Sequence, residues 1–113
     1  RHITGTELHE AMSGSTMLSL IAYGDPCTIE LRNDGTMLGK AGHADEDVDT
    51  GSWWIENDKW CRQWSRWAWG APFEYNIVMD GETIKLFDEE GRLIERAVLK
   101  KQRTEEPPTS DLA

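Results

Sequence analysis

Apolar and polar residues alternate along most of this chain, and turn-forming residues interrupt the alternation about every 8 to 12 positions. The segment from Cys27 to Arg32 is a clear case, because every second residue is apolar and the others are polar or charged. An Asn-Asp-Gly turn at 33–35 follows, and the segment from Met37 to Ala41 is its predicted return strand. Alternation with this period indicates antiparallel strands that bury one face.

The same pattern predicts about eight strands in a mainly β domain. Besides the two above, they are Ser15 to Tyr23, Gly51 to Glu56, Lys59 to Trp67, Phe73 to Asp80, Thr83 to Phe87 and Leu93 to Leu99. The stretch from Gly42 to Thr50 is predicted to be an acidic loop. Short connections favour pairing between sequence neighbours, so the strands form an antiparallel meander. Eight such strands can close into a small barrel that holds side chains or one small ligand.

One short helix is predicted before the strands, over about residues 6–13. Thr4 or Thr6 can cap its first turn, and Gly14 can end it. Leu8 and Met12 share one face at a spacing of four residues.

The length of 113 residues allows one hydrophobic core and leaves no room for a separate catalytic domain. We expect a single domain over residues 1–103. Residues 104–113 contain Pro107-Pro108 and little that could be buried, so they are predicted to form a flexible tail.

The net charge limits the class of partner. The chain has 12 basic and 21 acidic residues, a formal charge of −9, which repels nucleic acids and anionic membranes. No apolar run approaches the roughly 18 residues needed to span a bilayer. We therefore expect neutral or cationic partners, no nucleic acid and no insertion into a membrane.

Tryptophan is the most distinctive residue of the chain, since all six indoles fall between positions 53 and 69. In a strand, Trp53 and Trp54 point to opposite faces, so both faces of the sheet carry indoles. Trp60, Trp64 and Trp67 also fit helical spacing, but their position between turn signals favours a strand.

Two interpretations of the indoles are open. In the first they all pack in the core. In the second they form a platform that binds an apolar, sugar or cationic ligand, with anchors Trp53, Trp54, Trp64 and Trp67. Arg62 and Arg66 lie among these residues and could stack on indoles or hold an anionic group of the ligand, although solvated arginines are the simpler reading.

The acidic loop suggests a calcium site as an alternative to a solvated loop. Asp45, Asp47 and Asp49 occupy every second position, and Glu56 follows 11 residues after the first. Calcium loops place oxygen ligands at similar intervals. Thr50 stands where such loops place a glycine, so the predicted site is weak.

Cys27 and Cys61 are the only cysteines. A disulfide between them would close a loop of about 35 residues and stabilise the fold by about 3 to 4 kcal/mol. Two buried thiols are the alternative. These cysteines and the three histidines lack the spacing of zinc ligands.

Motifs that identify catalysis are absent from the sequence. There is no Gly-x-Ser-x-Gly, no glycine-rich phosphate loop and no His-Glu-x-x-His. We therefore expect no enzyme activity and no cofactor, with calcium as the one alternative.

A resemblance to known proteins rests on residues 49–64, DTGSWWIENDKWCRQW, with NDGT at 33–36 before them and Asp80-Gly81 after them. Over about residues 4–99 the chain resembles small secreted or periplasmic proteobacterial domains of largely unassigned function. Those domains have a Gly-Thr-Trp strand and a Leu-Cys-x-x-Trp strand, where this chain has Ser52, Asn57 and Trp60 in place of Thr, Gly and Leu. The resemblance implies a lipocalin-like barrel and an exported protein, and it supplies no catalytic residues.

The leading expectation is therefore a non-enzymatic, exported domain, periplasmic or secreted, that binds a small ligand or a protein partner through its tryptophan-rich face. A second is a structural or interaction domain of a larger envelope or signalling protein, with a solid aromatic core. A third is a weak calcium-binding domain.

Overall fold

The chain forms nine β-strands and two helical segments within residues 1–20 and 26–101, the ranges that this computed structural model describes. In chain order the strands are β1 His2–Ile3, β2 Ser15–Leu20, β3 Pro26–Leu31, β4 Thr36–Ala41, β5 Asp47–Glu56, β6 Lys59–Trp64, β7 Pro72–Asp80, β8 Thr83–Phe87 and β9 Leu93–Lys101. Helix α1, Gly5–Met12, lies between β1 and β2, and a short 3-10 helix, Trp67–Gly70, lies between β6 and β7.

Strands β2 to β9 form a closed antiparallel barrel in which each strand pairs with its sequence neighbours. The last strand closes the ring, because β9 pairs with β2 as well as with β8 and places Ala97 opposite Ser19. Strand β1 pairs with β7 in the part of β7 that β6 does not cover. The prediction of a mainly β fold, with a meander of about eight strands and one short N-terminal helix, is confirmed.

The predicted acidic loop is wrong in its second half, since β5 already begins at Asp47. The ladder between β4 and β5 continues through the acidic residues and places Asp47 opposite Ala41 and Asp49 opposite Gly39. Backbone pairing therefore decides the start of β5, although aspartate is disfavoured in strands.

The predicted strand from Lys59 to Trp67 ends earlier, at Trp64. The carboxylate of Asp49 accepts hydrogen bonds from the backbone N–H groups of Arg66 and Trp67 and turns the chain out of the sheet. The helical alternative for this tryptophan-rich stretch is wrong, because residues 59–64 pair with β5 and β7.

Two predictions lie outside the described residues. The predicted strand from Ser15 to Tyr23 is confirmed as far as Leu20, and its remainder, with the turn that follows, belongs to residues 21–25. The predicted tail at 104–113 is also outside the described ranges.

Helix α1 covers one end of the barrel, which we call the closed end. Leu8 and Met12 are fully buried in the core. Ser15 at the start of β2 donates its hydroxyl to the carbonyl oxygen of Ala11 at 2.7 Å, and Lys101 at the end of β9 donates to carbonyl oxygens of the same region. In the described ranges no helix is long and apolar enough to cross a membrane.

The other end of the barrel, the open end, is where even-numbered strands finish and odd-numbered strands begin. Between the two ends the inward-facing residues form one continuous core. It combines aliphatic side chains with the aromatic side chains of Trp53, Trp60, Trp64 and Tyr75.

Candidate functional site

The six indoles lie in three different environments. Trp53, Trp60 and Trp64 are buried in the core. Trp54 points to the outer face of β5 and donates its Nε1 to Glu56, whereas Trp67 is half-buried against the core. Trp69 is 93% exposed. Two of the four predicted anchors, Trp53 and Trp64, are thus core residues that an external ligand does not reach.

Trp64 and Trp67 pack together at the open end, with ring centroids 4.6 Å apart. They lie over Gly39 of β4, where a Cβ atom would come within 2.5 Å of the Trp67 ring and 2.6 Å of the Trp64 ring. Glycine at this position therefore leaves the space that the two indoles occupy.

Asp49 holds the connection from β6 to the 3-10 helix in place. Its carboxylate is 4% exposed and accepts the N–H groups of Arg66 and Trp67 at 2.8 and 2.9 Å. Burial by itself raises the pKa of Asp49, but these hydrogen bonds, another from Thr50 and the charge of Arg66 outweigh it. The pKa of Asp49 is therefore lower than that of an ordinary aspartate.

The same connection fixes Trp67 and Trp69 in different ways. The indole Nε1 of Trp67 donates to Asp47 Oδ1 at 3.2 Å, and the amide of Gln63 donates to the carbonyl oxygen of Gly70 at 2.9 Å. Ala68 and Trp69 adopt left-handed backbone conformations, with φ of 53° and 59°. This turn leaves Trp67 at the barrel wall and projects Trp69 away from it.

Arg62 is an interior residue and not an exposed contact. Its Nη2 donates to Glu95 Oε1 at 2.9 Å, and the two side chains are 12% and 15% exposed. The guanidinium also lies over the rings of Trp60 and Tyr75, at 5.4 and 5.1 Å from their centroids. Burial disfavours its charge, but Glu95 and the Tyr75 hydroxyl more than compensate, so the pKa of Arg62 is raised.

Arg66, by contrast, is an exposed side chain. It lies 3.5 Å from Asp47 and 3.8 Å from Asp49, and both carboxylates belong to β5. The guanidinium of Arg66 therefore interacts with two carboxylates of β5 and does not stack on an indole.

The two cysteines are free, buried thiols, which is the second of the two alternatives that the sequence left open, and they do not form the disulfide of the first. Cys27 belongs to the interior core, whereas Cys61 lies on the outer face with Trp54. The barrel wall separates them, which prevents a bond between their sulfur atoms. Burial raises the pKa of both thiols, with added repulsion from Glu95 at Cys27 and from Glu74 at Cys61.

The four carboxylates of the predicted calcium site do not converge. Asp47 and Glu56 are the two ends of the ten-residue strand β5 and are about 30 Å apart at about 3.3 Å per residue. The carboxylate of Asp49 already accepts hydrogen bonds from two backbone N–H groups. Within the described ranges no group of three or more His, Cys, Asp or Glu residues could hold a metal ion.

Two cavities at the open end have Cys27 as a common wall residue. The smaller, about 280 Å³, is lined by Ala41, Asp47, Trp67 and Ala68 as well. The larger, about 530 Å³, extends from this end along β2, β3 and β9 as far as Thr83 at the start of β8, with Ser19 and Glu95 among its polar residues.

Two buried side-chain polar atoms of the described residues, Ser19 Oγ and Trp60 Nε1, lack a hydrogen-bond partner of good geometry. Ser19 faces the larger cavity, and its polar neighbour is the thiol of Cys27, opposite it in the ladder of β2 and β3. Buried polar atoms without partners are uncommon, and one that faces a cavity can bind a ligand or water.

Sequence reasoning missed Glu95, although a signal for it was present. Along β9 the inward positions are Glu95, Ala97 and Leu99, and along β6 they are Trp60, Arg62 and Trp64. Each strand thus carries one charge in an apolar series, and the two charges have opposite signs. Such a pair indicates an interior ion pair once both strands are assigned to the same barrel.

In comparisons with known proteins, no family model matches the chain, and no significant match was found among curated proteins or solved structures.

Proposed function

We propose that this domain binds a small organic cation with an apolar body in the two cavities at the open end of the barrel, and that it performs no catalysis. The observation that carries the proposal is the smaller cavity, where the indole of Trp67 and the carboxylate of Asp47 form the wall together. An aromatic ring beside a carboxylate is a suitable environment for an ammonium group.

The charges around the cavities favour a cation over an anion. Asp47 contributes to the smaller cavity, and Glu95 and Arg96 contribute to the larger. Arg66 pairs with both Asp47 and Asp49, so the acids beside the smaller cavity outnumber their arginine by one, whereas Arg62 and Glu95 neutralise each other. The overall charge of −9 also raises the local concentration of cations.

The cavity size limits the ligand. Sites for drug-sized molecules measure about 300 to 1,000 Å³, and the smaller cavity has only about 280 Å³. An ammonium head group fits this volume, while an attached apolar chain could enter the larger cavity past Cys27. The thiol has a raised pKa and is therefore uncharged at pH 7, which suits an apolar chain.

The resemblance to small exported domains supports two finer parts of the proposal. Lipocalin-like barrels hold a ligand at the open end, and we infer the same location for this one. We also propose that the protein is periplasmic or secreted. Cell fractionation of the native host, with immunodetection of the protein, tests the location, and recovery in the cytoplasm would contradict it.

The charge of the ligand is tested with choline and its neutral isostere 3,3-dimethylbutan-1-ol. Calorimetric titration should detect binding of choline and much weaker binding of the alcohol, because only the cation interacts with Asp47. Equal affinities, or no binding of either compound, would contradict the proposal.

The location of the site is tested by Asp47→Asn, with Asp45→Asn as the matched control in the preceding loop. Both variants remove one exposed acidic charge. The first should weaken choline binding about fivefold, the upper range for a partly exposed ion pair, and the control should leave it unchanged. Equal effects would show only the general attraction of an acidic protein for cations.

A further inference from the structure

Large apolar side chains are exposed mainly at the open end of the barrel. In the described ranges six of them are more than a third exposed, and five belong to this end. Each of the five is the first or second residue of a strand that begins there, or lies in the 3-10 helix between β6 and β7. We call these five the apolar rim: Val48, Trp69, Phe73, Leu93 and Ile94.

Trp69 is the most exposed member of the rim, at 93%. Its backbone and that of Ala68 are left-handed, which costs about 1 to 2 kcal/mol for each non-glycine residue. Hydrogen bonds of Trp67 and Gly70 on either side keep the turn in this conformation. With 93% of its surface exposed, the indole buries little area in the fold and is held in solvent by a strained turn. Tryptophans of this kind often dominate the energy of protein interfaces.

The rim is wide enough for a segment of a protein partner. It runs from β5 through β6, β7 and β8 to β9, which is four strand spacings. These four spacings are half of the closed ring, so about 4.8 Å per spacing gives an arc of about 19 Å and a straight span of about 12 Å. An α-helical segment of about 8 residues has a similar length.

Acidic loops lie beside the rim. The loop from β4 to β5 contains Asp45 and Glu46, and the loop from β8 to β9 contains the run Asp88-Glu89-Glu90. Cations reduce this charge without cancelling it. Arg66 pairs with Asp47 and Asp49, Arg92 pairs with Asp88 and Glu90, and Lys59 lies 3.7 Å from Glu89, so the acids still outnumber the cations. An apolar surface flanked by negative charge is complementary to a segment with one apolar and one basic face.

We propose that the apolar rim docks a basic amphipathic helix of a protein partner, with Trp69 as its principal contact. Trp69 and three other rim residues lie outside the cavities of the proposed small-ligand site, whereas Ile94 also lines the larger cavity. The net charge of −9 opposes two other occupants, a second copy of the chain and an anionic membrane, since each would bring like charges together.

The direct test uses a synthetic 14-residue peptide of leucine and lysine in amphipathic helical order. It contains no tryptophan, so tryptophan emission reports on the protein alone. Titration should shift the exposed component of the emission to shorter wavelength and give a saturable, one-to-one isotherm. The same peptide with glutamate in place of lysine should not bind. A scrambled peptide of the same composition and charge should bind at least about tenfold more weakly.

The role of Trp69 is tested by Trp69→Ser, with Leu38→Ser as the control. Leu38 is a half-buried residue on the outer face of β4 and lies outside the rim and both cavities. The first variant should weaken peptide binding by at least about tenfold, the usual effect of losing a hot-spot tryptophan, and the control should bind like the wild type. Equal binding by all three proteins would overturn the proposal.

Two other outcomes would assign the rim to a different occupant and overturn the proposal. One is concentration-dependent self-association in sedimentation experiments that is lost in Trp69→Ser. The other is a blue shift of the emission with phosphatidylcholine vesicles and none with the peptide. Choline binding measured on Trp69→Ser should be unchanged, so a failure of this inference is distinguishable from a failure of the proposed small-ligand site.

Discussion

Arg62 donates a 2.9 Å hydrogen bond to Glu95 inside the barrel and so joins β6 to β9, two strands that do not pair with each other. The pair lies beside Tyr75 and Trp60, whose rings also contact the guanidinium. It therefore ties opposite parts of the barrel wall together through its interior.

Removal of one member of this pair should be strongly destabilising. Glu95→Ala leaves the buried guanidinium of Arg62 without a counter-charge, and we expect a loss of about 3 to 5 kcal/mol in the free energy of unfolding. Urea denaturation followed by far-UV circular dichroism measures it. The double variant Arg62→Met with Glu95→Leu should recover most of the loss. Glu7→Ala, which breaks an exposed ion pair with Arg1, should cost less than about 1 kcal/mol.

The packing of two indoles over Gly39 predicts a steric effect. Gly39→Ala places a methyl group within 2.5 Å of the Trp67 ring and should destabilise the fold by about 1 to 3 kcal/mol. Trp67→Ala in the same chain should relieve only the contact with that ring, because the Trp64 ring still lies within 2.6 Å of the added methyl group. The cost of Gly39→Ala should therefore be smaller in that background, as a double-mutant cycle measures. An equal cost in both backgrounds would mean that the methyl group does not meet the indole.

Asp49 predicts a defined pH dependence of stability. Its pKa is lower in the folded state than in the unfolded state, so it stabilises the fold above the unfolded value of about 3.9. This contribution should disappear as the pH falls through the lower, folded value. The difference in unfolding free energy between wild type and Asp49→Ala should accordingly be large at pH 7 and shrink below about pH 4.

A control variant distinguishes the pH effect due to Asp49 from the general loss of stability in acid. Asp45→Asn alters an exposed acid of the preceding loop and should show no comparable change with pH. A difference for Asp49→Ala that stayed constant from pH 7 to pH 2 would contradict the role of its charge in holding the connection to the 3-10 helix.

The positions of the two cysteines predict a protein without a disulfide. Its intact mass should equal that of the reduced chain, and a reducing agent should not alter the melting temperature. Since Cys27 and Cys61 are buried and their pKa values are raised, a thiol reagent should modify them slowly in the native state and quickly in urea. A mass lower by two hydrogens would contradict the separation of the thiols by the barrel wall.

The sequence indicates that the tryptophan-rich segment matters, but it does not predict which of its side chains are buried and which are exposed. The spacing of the tryptophan cluster alone does not distinguish the buried Trp64 from the exposed Trp69. Trp69 is exposed because Asp49, distant in sequence, ends β6 at Trp64 and turns the chain. Long-range hydrogen bonds of this kind have no local signature.

The sequence by itself determined the strands, their order and the short helix, because alternation of apolar residues and turn chemistry act over a few neighbouring residues. The structure alone decided the pairing of β2 with β9, the meeting of Arg62 with Glu95, the separation of Cys27 from Cys61 and the gathering of exposed apolar residues at one end. Each of these depends on the tilt and closure of the barrel, which bring together residues far apart in the chain.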